Sequence, residues 1–191
     1  MDIIAHGLWA AAAYKAANNQ RKKRGKKTLS IPWAVFFGVF PDLFAFTLPW
    51  IFILFGLAAG TINPATIPGP SSQEPPTPQA FPSYIFDLAN ALYNISHSLV
   101  IFGIIFAAIY LVQHRIQWEL GAWLLHIFID IPTHSYTFFP TPALWPISEW
   151  KFTHGIAWST HWFMVVNYSL LIFVYIFLYV KRRHNRAQPS T

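Results

Sequence analysis

Long apolar stretches alternate with short polar segments along this chain, and the alternation predicts membrane-spanning helices. Residues 31–60, 84–112 and 157–180 are three long, mostly apolar runs, and residues 1–17 and 117–131 are two shorter ones. An apolar run of about 20 residues is long enough to cross the hydrocarbon core of a bilayer as a helix. We therefore expect an all-α fold: a polytopic membrane helical bundle of four to five spans.

The positions of the prolines refine this picture. A proline inside a helix removes a hydrogen bond and clashes with the preceding turn, so Pro41 and Pro49 predict a broken or kinked second helix with Asp42 at the break. Residues 61–82 hold seven prolines among Ser, Thr and Gly. That composition buries little apolar surface and predicts an extended loop outside the membrane. Residues 1–191 should thus form a single integral membrane domain.

Composition and charge agree with a membrane location. Charged residues make up 10% of the chain and hydrophobic residues 54%, whereas soluble domains have about 25% charged residues. The net charge of +6 gathers in two basic runs, residues 21–27 and 181–186. By the positive-inside rule, we expect the 21–27 loop and the basic tail 181–191 in the cytoplasm and the Pro-rich loop outside. No recognition motif accompanies the charge, so membrane lipid is the expected partner and nucleic acid is not.

Ionisable residues within the predicted spans are the candidates for function, because such groups are costly at membrane depth unless they are partnered. His126 and Asp130 are four residues apart and project from one side of a helix, which allows both to bind one cation. At a rise of about 1.5 Å per residue, Asp42 and His97 reach a similar depth in their own spans. Five residues can therefore meet in the outer half of the membrane: His6, Asp42, His97, His126 and Asp130.

These residue types favour a divalent metal ion. Three histidines and two aspartates suit zinc or manganese better than independent packing roles, and the chain contains no cysteine. One alternative stays open at the N-terminal segment. Asp2, four residues before His6, either orients its imidazole or caps the start of the helix.

Four short motifs occur in an order that resembles a known family. They are His6 near the start, Phe-Pro-Asp-Leu at 40–43, Ser-His-Ser-Leu at 96–99, and His-x-x-x-Asp-x-x-Thr at 126–133 with the prolines of 140–146 after it. Together they resemble the small bacterial inner-membrane metal-dependent hydrolases, sometimes labelled LexA-binding, whose His and Asp pattern is similar to that of zinc-dependent phospholipase C. The resemblance implies metal ligation by the five residues named above.

The sequence also departs from that family. Members often carry an acidic residue and a histidine after the Pro-Asp, where Phe44 and Ala45 stand here. They also carry a His-Arg pair before the Ser-His-Ser, where Leu92 and Tyr93 stand. These departures weigh against a second metal ion.

The resulting hypothesis is a membrane-embedded metal-dependent hydrolase that cleaves a phosphoester of a lipid or another amphiphile. A divalent metal, Zn²⁺ first and Mn²⁺ second, would lower the pKa of a water molecule from 15.7 toward about 7. His134 and Glu149 are the candidates for proton transfer, and Glu149 is equally well interpreted as a capping or interface residue. Two other classes of protein stay open: a proton or cation transporter that uses the same His and Asp residues, and a non-catalytic membrane protein in which the metal only holds the helices together.

Overall fold

All regular secondary structure is helical in the residues that the computed structural model of the protein describes, which are 1–63, 83–135 and 139–187. The α-helices are α1 (Ile3–Lys23), α2 (Ile31–Ala58), α3 (Ser83–Ser96), α4 (Leu99–Gln113), α5 (Gly121–Thr133) and α6 (His161–Ala187), and a 3₁₀ turn, Trp118–Leu120, leads directly into α5. The prediction of an all-α bundle is confirmed for this part of the chain. Most of the predicted Pro-rich loop, residues 64–82, and the last four residues of the basic tail lie outside the described residues.

Two to three helical segments are suited to crossing a membrane. α2 and the His161–His184 part of α6 have the required length and apolar character, and α3 with α4 makes a third candidate that is bent by 57°. α5 has 13 residues and measures about 20 Å, less than the roughly 30 Å of a hydrocarbon core. The structure therefore supports membrane association with two to three candidate spans, where the sequence predicted four to five.

The predicted break in the second helix is wrong. α2 continues for 28 residues with Pro41 and Pro49 inside it. A proline removes a single backbone hydrogen bond, and a long apolar helix with packed neighbours tolerates that loss. The break lies in the next segment, between α3 and α4, where His97 and Ser98 leave the helical path and the Ser98 hydroxyl caps α4 by accepting from Val100 N and Ile101 N.

α2 is the central helix of the bundle. It packs against α1, α3 and α5, and α6 packs against α1. Small residues permit the closest approach, between α1 and α2: a Cβ at Gly38 would lie 2.6 Å from the Cβ of Ala10. Large apolar side chains on the outer faces of α2 and α6 stay exposed, among them Leu54, Phe55 and Phe173. These faces are suited to lipid contact.

Polar contacts place the basic segments at one end of the bundle. The Ser30 amide, just before α2, donates to Glu119 Oε1 at 2.9 Å. Lys15 Nζ lies 4.5 Å from the ring centroid of Tyr175, which joins the second halves of α1 and α6. The 24–30 connection, the 114–117 turn and the C-terminal half of α6 therefore share this end, which we call the basic end.

Candidate metal centre

Four buried side chains from three parts of the fold converge on one point. Asp42 belongs to α2, His97 lies at the α3–α4 break, and His126 and Asp130 are one turn apart on α5. One ligand atom from each lies within 4.8 Å of the others, and this buried group could hold a metal ion. We call these four residues the cluster.

The separations between the ligand atoms suit a small divalent ion. The Nε2 atoms of His97 and His126 are 3.1 Å apart, and Asp130 Oδ2 lies 3.4 and 3.2 Å from them. Asp42 Oδ1 lies 3.5 and 3.7 Å from the same two nitrogens. Ligand atoms about 2.0–2.2 Å from a tetrahedral zinc ion stand about 3.3–3.6 Å apart, so small shifts would bring these four donors to bonding distance.

Backbone contacts orient the His126 ring for ligation. Its Nδ1 lies 2.7 Å from the carbonyl oxygen of Gly38 on α2. A carbonyl only accepts hydrogen bonds, so Nδ1 carries the proton and Nε2 presents a lone pair to the cluster. Metal-binding histidines typically have their second nitrogen held in this way.

The His97 ring is held by its neighbours in sequence. Its Nδ1 lies 2.9 Å from the Ser96 hydroxyl, and the Tyr93 ring stacks on it with centroids 3.7 Å apart. Tyr93 is fully buried, and its hydroxyl lies 3.5 Å from His134 Nδ1 and 3.4 Å from Thr141 Oγ1. Tyr93 was not predicted as a site residue, although its position four residues before His97 on a helix is the signal that places it on the same face.

His6 joins the cluster from α1 without being one of its four members. Its ring stacks on His126 at 3.6 Å between centroids, and its Nε2 lies 2.9 Å from Asp130 Oδ1. Asp130 Oδ2 makes no hydrogen bond to a described residue, and it faces the Nε2 atoms of His97 and His126. An unpaired buried polar atom costs about 1–3 kcal/mol, and a cation bound in the cluster would remove that cost for this oxygen. All five predicted ligands are thus brought together, and metal ligation by any of them stays a prediction.

The residues that precede His6 have other contacts. The α-amino group of Met1 forms an ion pair with Asp130 Oδ1 and lies 3.1 Å from His134 Nε2. Asp2 caps α1 by accepting from Ala5 N at 2.9 Å, and it also accepts from the Tyr168 hydroxyl at 2.9 Å. Of the two interpretations of Asp2, the structure supports the cap.

The two residues predicted to transfer protons lie in different environments. His134 is buried, and its Nε2 lies 3.5 Å from Asp130 Oδ1. Its Nδ1 lies 2.9 Å from the carbonyl of Phe139, so Nδ1 carries the proton and Nε2 again presents a lone pair. Glu149 is exposed and is not part of the buried group.

The segment before α6 fixes the backbone around His134. Ile156 N donates to Pro132 O and Trp158 N to Thr133 O, both at 2.9 Å. The close approach requires Gly155, because a Cβ there would lie 1.9 Å from the carbonyl oxygen of His134. His134 is therefore held in place from two sides.

Comparisons with known proteins found no relative of this chain, because no family model, no curated protein and no solved structure matches it. The family resemblance of the motifs stays a prediction. Function has to be argued from the site itself.

Proposed function

We propose that this protein is a membrane-embedded metal-dependent hydrolase acting on a phosphoester of a lipid or another amphiphile. The observation that carries the proposal is the convergence of Asp42, His97, His126 and Asp130 at a buried point within 4.8 Å. Ionisable groups at membrane depth are costly and usually functional. Nitrogen and carboxylate donors at these separations suit zinc or manganese, with zinc preferred because two of the four donors are imidazoles.

The four residues of the cluster would hold the ion, with His6 as an additional donor. A divalent ion there would supply Lewis acidity, which acidifies a water molecule and offsets negative charge on a phosphoryl oxygen. The protein's own part is orientation. Gly38 and Ser96 fix the rings of His126 and His97, so both Nε2 atoms face the ion before it binds.

His134 is the residue best placed to accept a proton. Its Nε2 lies 3.1 Å from the α-amino group of Met1 and 3.5 Å from Asp130 Oδ1, and its Nδ1 is held by the Phe139 carbonyl. The Tyr93 hydroxyl lies 3.5 Å from the same Nδ1. Glu149, the other candidate, is exposed and would not be needed.

The experiment compares two carboxylate variants. The protein is purified in detergent, loaded with zinc or manganese, and assayed for release of phosphate or phosphorylated head group from phosphatidic acid and phosphatidylcholine. Asp130→Asn should lower the rate more than about 100-fold, because loss of even an outer-shell contact costs 10–100-fold. The control Glu149→Gln should retain the wild-type rate. A metal-loaded wild type without activity, or an active Asp130→Asn, contradicts the proposal.

A structural ion is the second candidate function, and the burial of all four donors favours it. Closed four-ligand shells are typical of structural zinc, whereas catalytic zinc keeps one position for water. An apolar cavity that reaches Asp42 favours the enzyme. In the structural case, metal would stabilise the fold and no phosphoester would be cleaved.

The topology is proposed together with the function. The chain would lie in the bacterial inner membrane with residues 21–27 and its C-terminus in the cytoplasm, like the hydrolase family that its motifs resemble. α1, and α5 together with the 3₁₀ turn that extends it, would add to the two or three candidate spans to give four to five. The grouping of the basic segments at one end of the bundle supports this arrangement.

Because the chain has no cysteine, single cysteines can report its orientation. Thr61→Cys should react with a membrane-impermeant maleimide in intact cells, and Thr28→Cys only after permeabilisation. Both positions are exposed in the structure. The reverse pattern would contradict the proposed orientation.

A further inference from the structure

An apolar cavity of about 440 Å³ opens beside the cluster. Ligand-binding clefts measure roughly 300–1,000 Å³, so its size suits a bound small molecule. One wall is a single face of α2, formed by Phe46, Pro49, Trp50 and Ile53 at the helical spacing of three, one and three residues. The facing wall comes from α3, with Ile85 and Ala89 one turn apart.

The cavity is elongated and polar at one end. It extends along α2 from Asp42 to Ile53, a rise of about 16 Å. Asp42, a member of the cluster, and His134, beside Asp130, line its inner end together with the start of α1. Beyond Phe46 the α2 and α3 walls are aromatic and aliphatic. This shape and polarity match a molecule with a polar head and an apolar tail.

The mouth of the cavity faces an apolar surface. Two of the residues that line the cavity are largely exposed at its mouth: Ile4 is 68% exposed and Trp50 is 53% exposed. Ile51 and Leu54, which flank the α2 wall, are exposed as well. α2 is one of the candidate membrane spans, so the opening would be reached from the lipid phase along the side of the bundle.

We propose that this cavity binds one aliphatic chain of a membrane amphiphile, with the amphiphile's phosphate group at Asp42 and His134 beside the cluster. The position of the phosphate rests on the proposed metal-dependent function, because an anion next to Asp42 requires a cation in the cluster. The chain site requires no turnover, since apolar contacts with α2 and α3 hold it.

The test is photolabelling of the zinc-loaded full chain in detergent. The probe is a lysophosphatidic acid that carries a diazirine at the end of its acyl chain, and mass spectrometry identifies the labelled residues. We expect label on the walls of the cavity around Phe46, Trp50, Ile53 and Ile85. Unlabelled lysophosphatidic acid should compete with the probe, and an alkyl-free glycerol phosphate should not.

Neighbouring residues on α2 provide a matched pair of variants. Ile53 is half-buried in the cavity wall, whereas the adjacent Leu54 is 60% exposed on the outer face. Ile53→Trp should lower cavity labelling by about tenfold or more, because it removes the burial of two or more methylene groups. Leu54→Trp should leave labelling unchanged. Ala89→Phe, from the α3 wall, is the second blocking variant in case the first does not fold.

The outcomes separate this inference from the proposed hydrolase. Cavity labelling that is lost in the blocked variants supports the chain site, whether or not the lipid is hydrolysed. Labelling spread over the lipid-facing surface and insensitive to both blocking variants overturns it. Hydrolysis of glycerol phosphate and lysophosphatidic acid at equal rates overturns it too, while leaving the metal-dependent activity in place.

Discussion

Buried polar groups occur in two regions of the bundle, the basic end and the cluster, and their partners differ. At the basic end, the Asn18 side chain accepts from Leu29 N at 2.7 Å and donates to Leu29 O at 2.9 Å. Glu119 accepts from the Ser30 amide at the same end. In contrast, the cluster brings carboxylates and imidazoles face to face, and Asp130 Oδ2 has no hydrogen-bond partner among the described residues.

The difference distinguishes a structural polar group from a binding site. A side chain whose donor and acceptor are both matched by backbone groups closes a turn and has no capacity left for a ligand. Lone pairs that converge on a shared position, with the rings of His97 and His126 held through their other nitrogen, are suited to binding a cation. Polar burial alone does not make this distinction, because Asn18 and Asp130 are both buried.

The largest expected effect comes from the metal itself. Zinc at about 1,000 times its dissociation constant should stabilise the fold by about 4 kcal/mol, since it binds the folded chain alone. Thermal unfolding in detergent, with added zinc and with a chelator, measures this shift. Asp130→Asn should abolish the shift. An equal shift in Asp130→Asn and wild type would place the stabilising ion elsewhere.

The next effect concerns the orientation of His97. Ser96→Ala removes the hydroxyl 2.9 Å from Nδ1 and should weaken zinc affinity about 10–100-fold, as expected for an outer-shell contact. Competition with a zinc indicator measures the affinity. Ser148→Ala, whose hydroxyl accepts from Trp150 N outside the cluster, should bind zinc like wild type. Equal affinities in both variants would show that Ser96 does not orient the ring.

A substitution at the basic end should have the opposite effect, lowering the stability of the fold without changing zinc binding. Asn18→Ala removes two hydrogen bonds to Leu29 and should lower the free energy of unfolding by about 1–2 kcal/mol with unchanged zinc content. Denaturation in detergent and elemental analysis measure the two quantities. Asn19→Ala, at the adjacent position, is the control for loss of an amide. Zinc loss in Asn18→Ala would mean that the basic end and the cluster are coupled.

The smallest effect is expected at Glu149. Because its side chain is exposed, Glu149→Gln should change the free energy of unfolding by less than about 0.5 kcal/mol and leave zinc content unchanged. The same two measurements apply. A clear loss of zinc would bring this carboxylate into the site.

The sequence was most informative where regular helical geometry decides position. His126 and Asp130 are one turn apart on α5, and counting residues along the spans placed Asp42 and His97 at the same depth. Chemistry at the ends of helices was harder to anticipate. The prolines of α2 predicted a break near Pro41, but α2 is continuous there. The observed break, between α3 and α4 at His97, depends on the Ser98 cap and on tertiary packing, which proline positions do not indicate.

Contacts between segments that are distant along the chain could not be predicted from the sequence. The Gly38 carbonyl that holds His126 and the Gly155 approach to His134 depend on how helices and loops pack. The predicted count of four to five spans is not confirmed for a related reason. Residues 117–131 look like one apolar span, but the 3₁₀ turn Trp118–Leu120 takes part of that segment and leaves α5 short.

Bound metal in the purified protein tests the central claim most directly. Elemental mass spectrometry of wild type, His126→Ala and Asp130→Ala should give close to one divalent ion per chain for wild type and almost none for either variant. His161→Ala, an exposed histidine at the start of α6, should keep its metal. A well-folded wild type that holds no metal, even after zinc or manganese is added, would contradict the account and leave the cluster a polar packing or proton-transfer site.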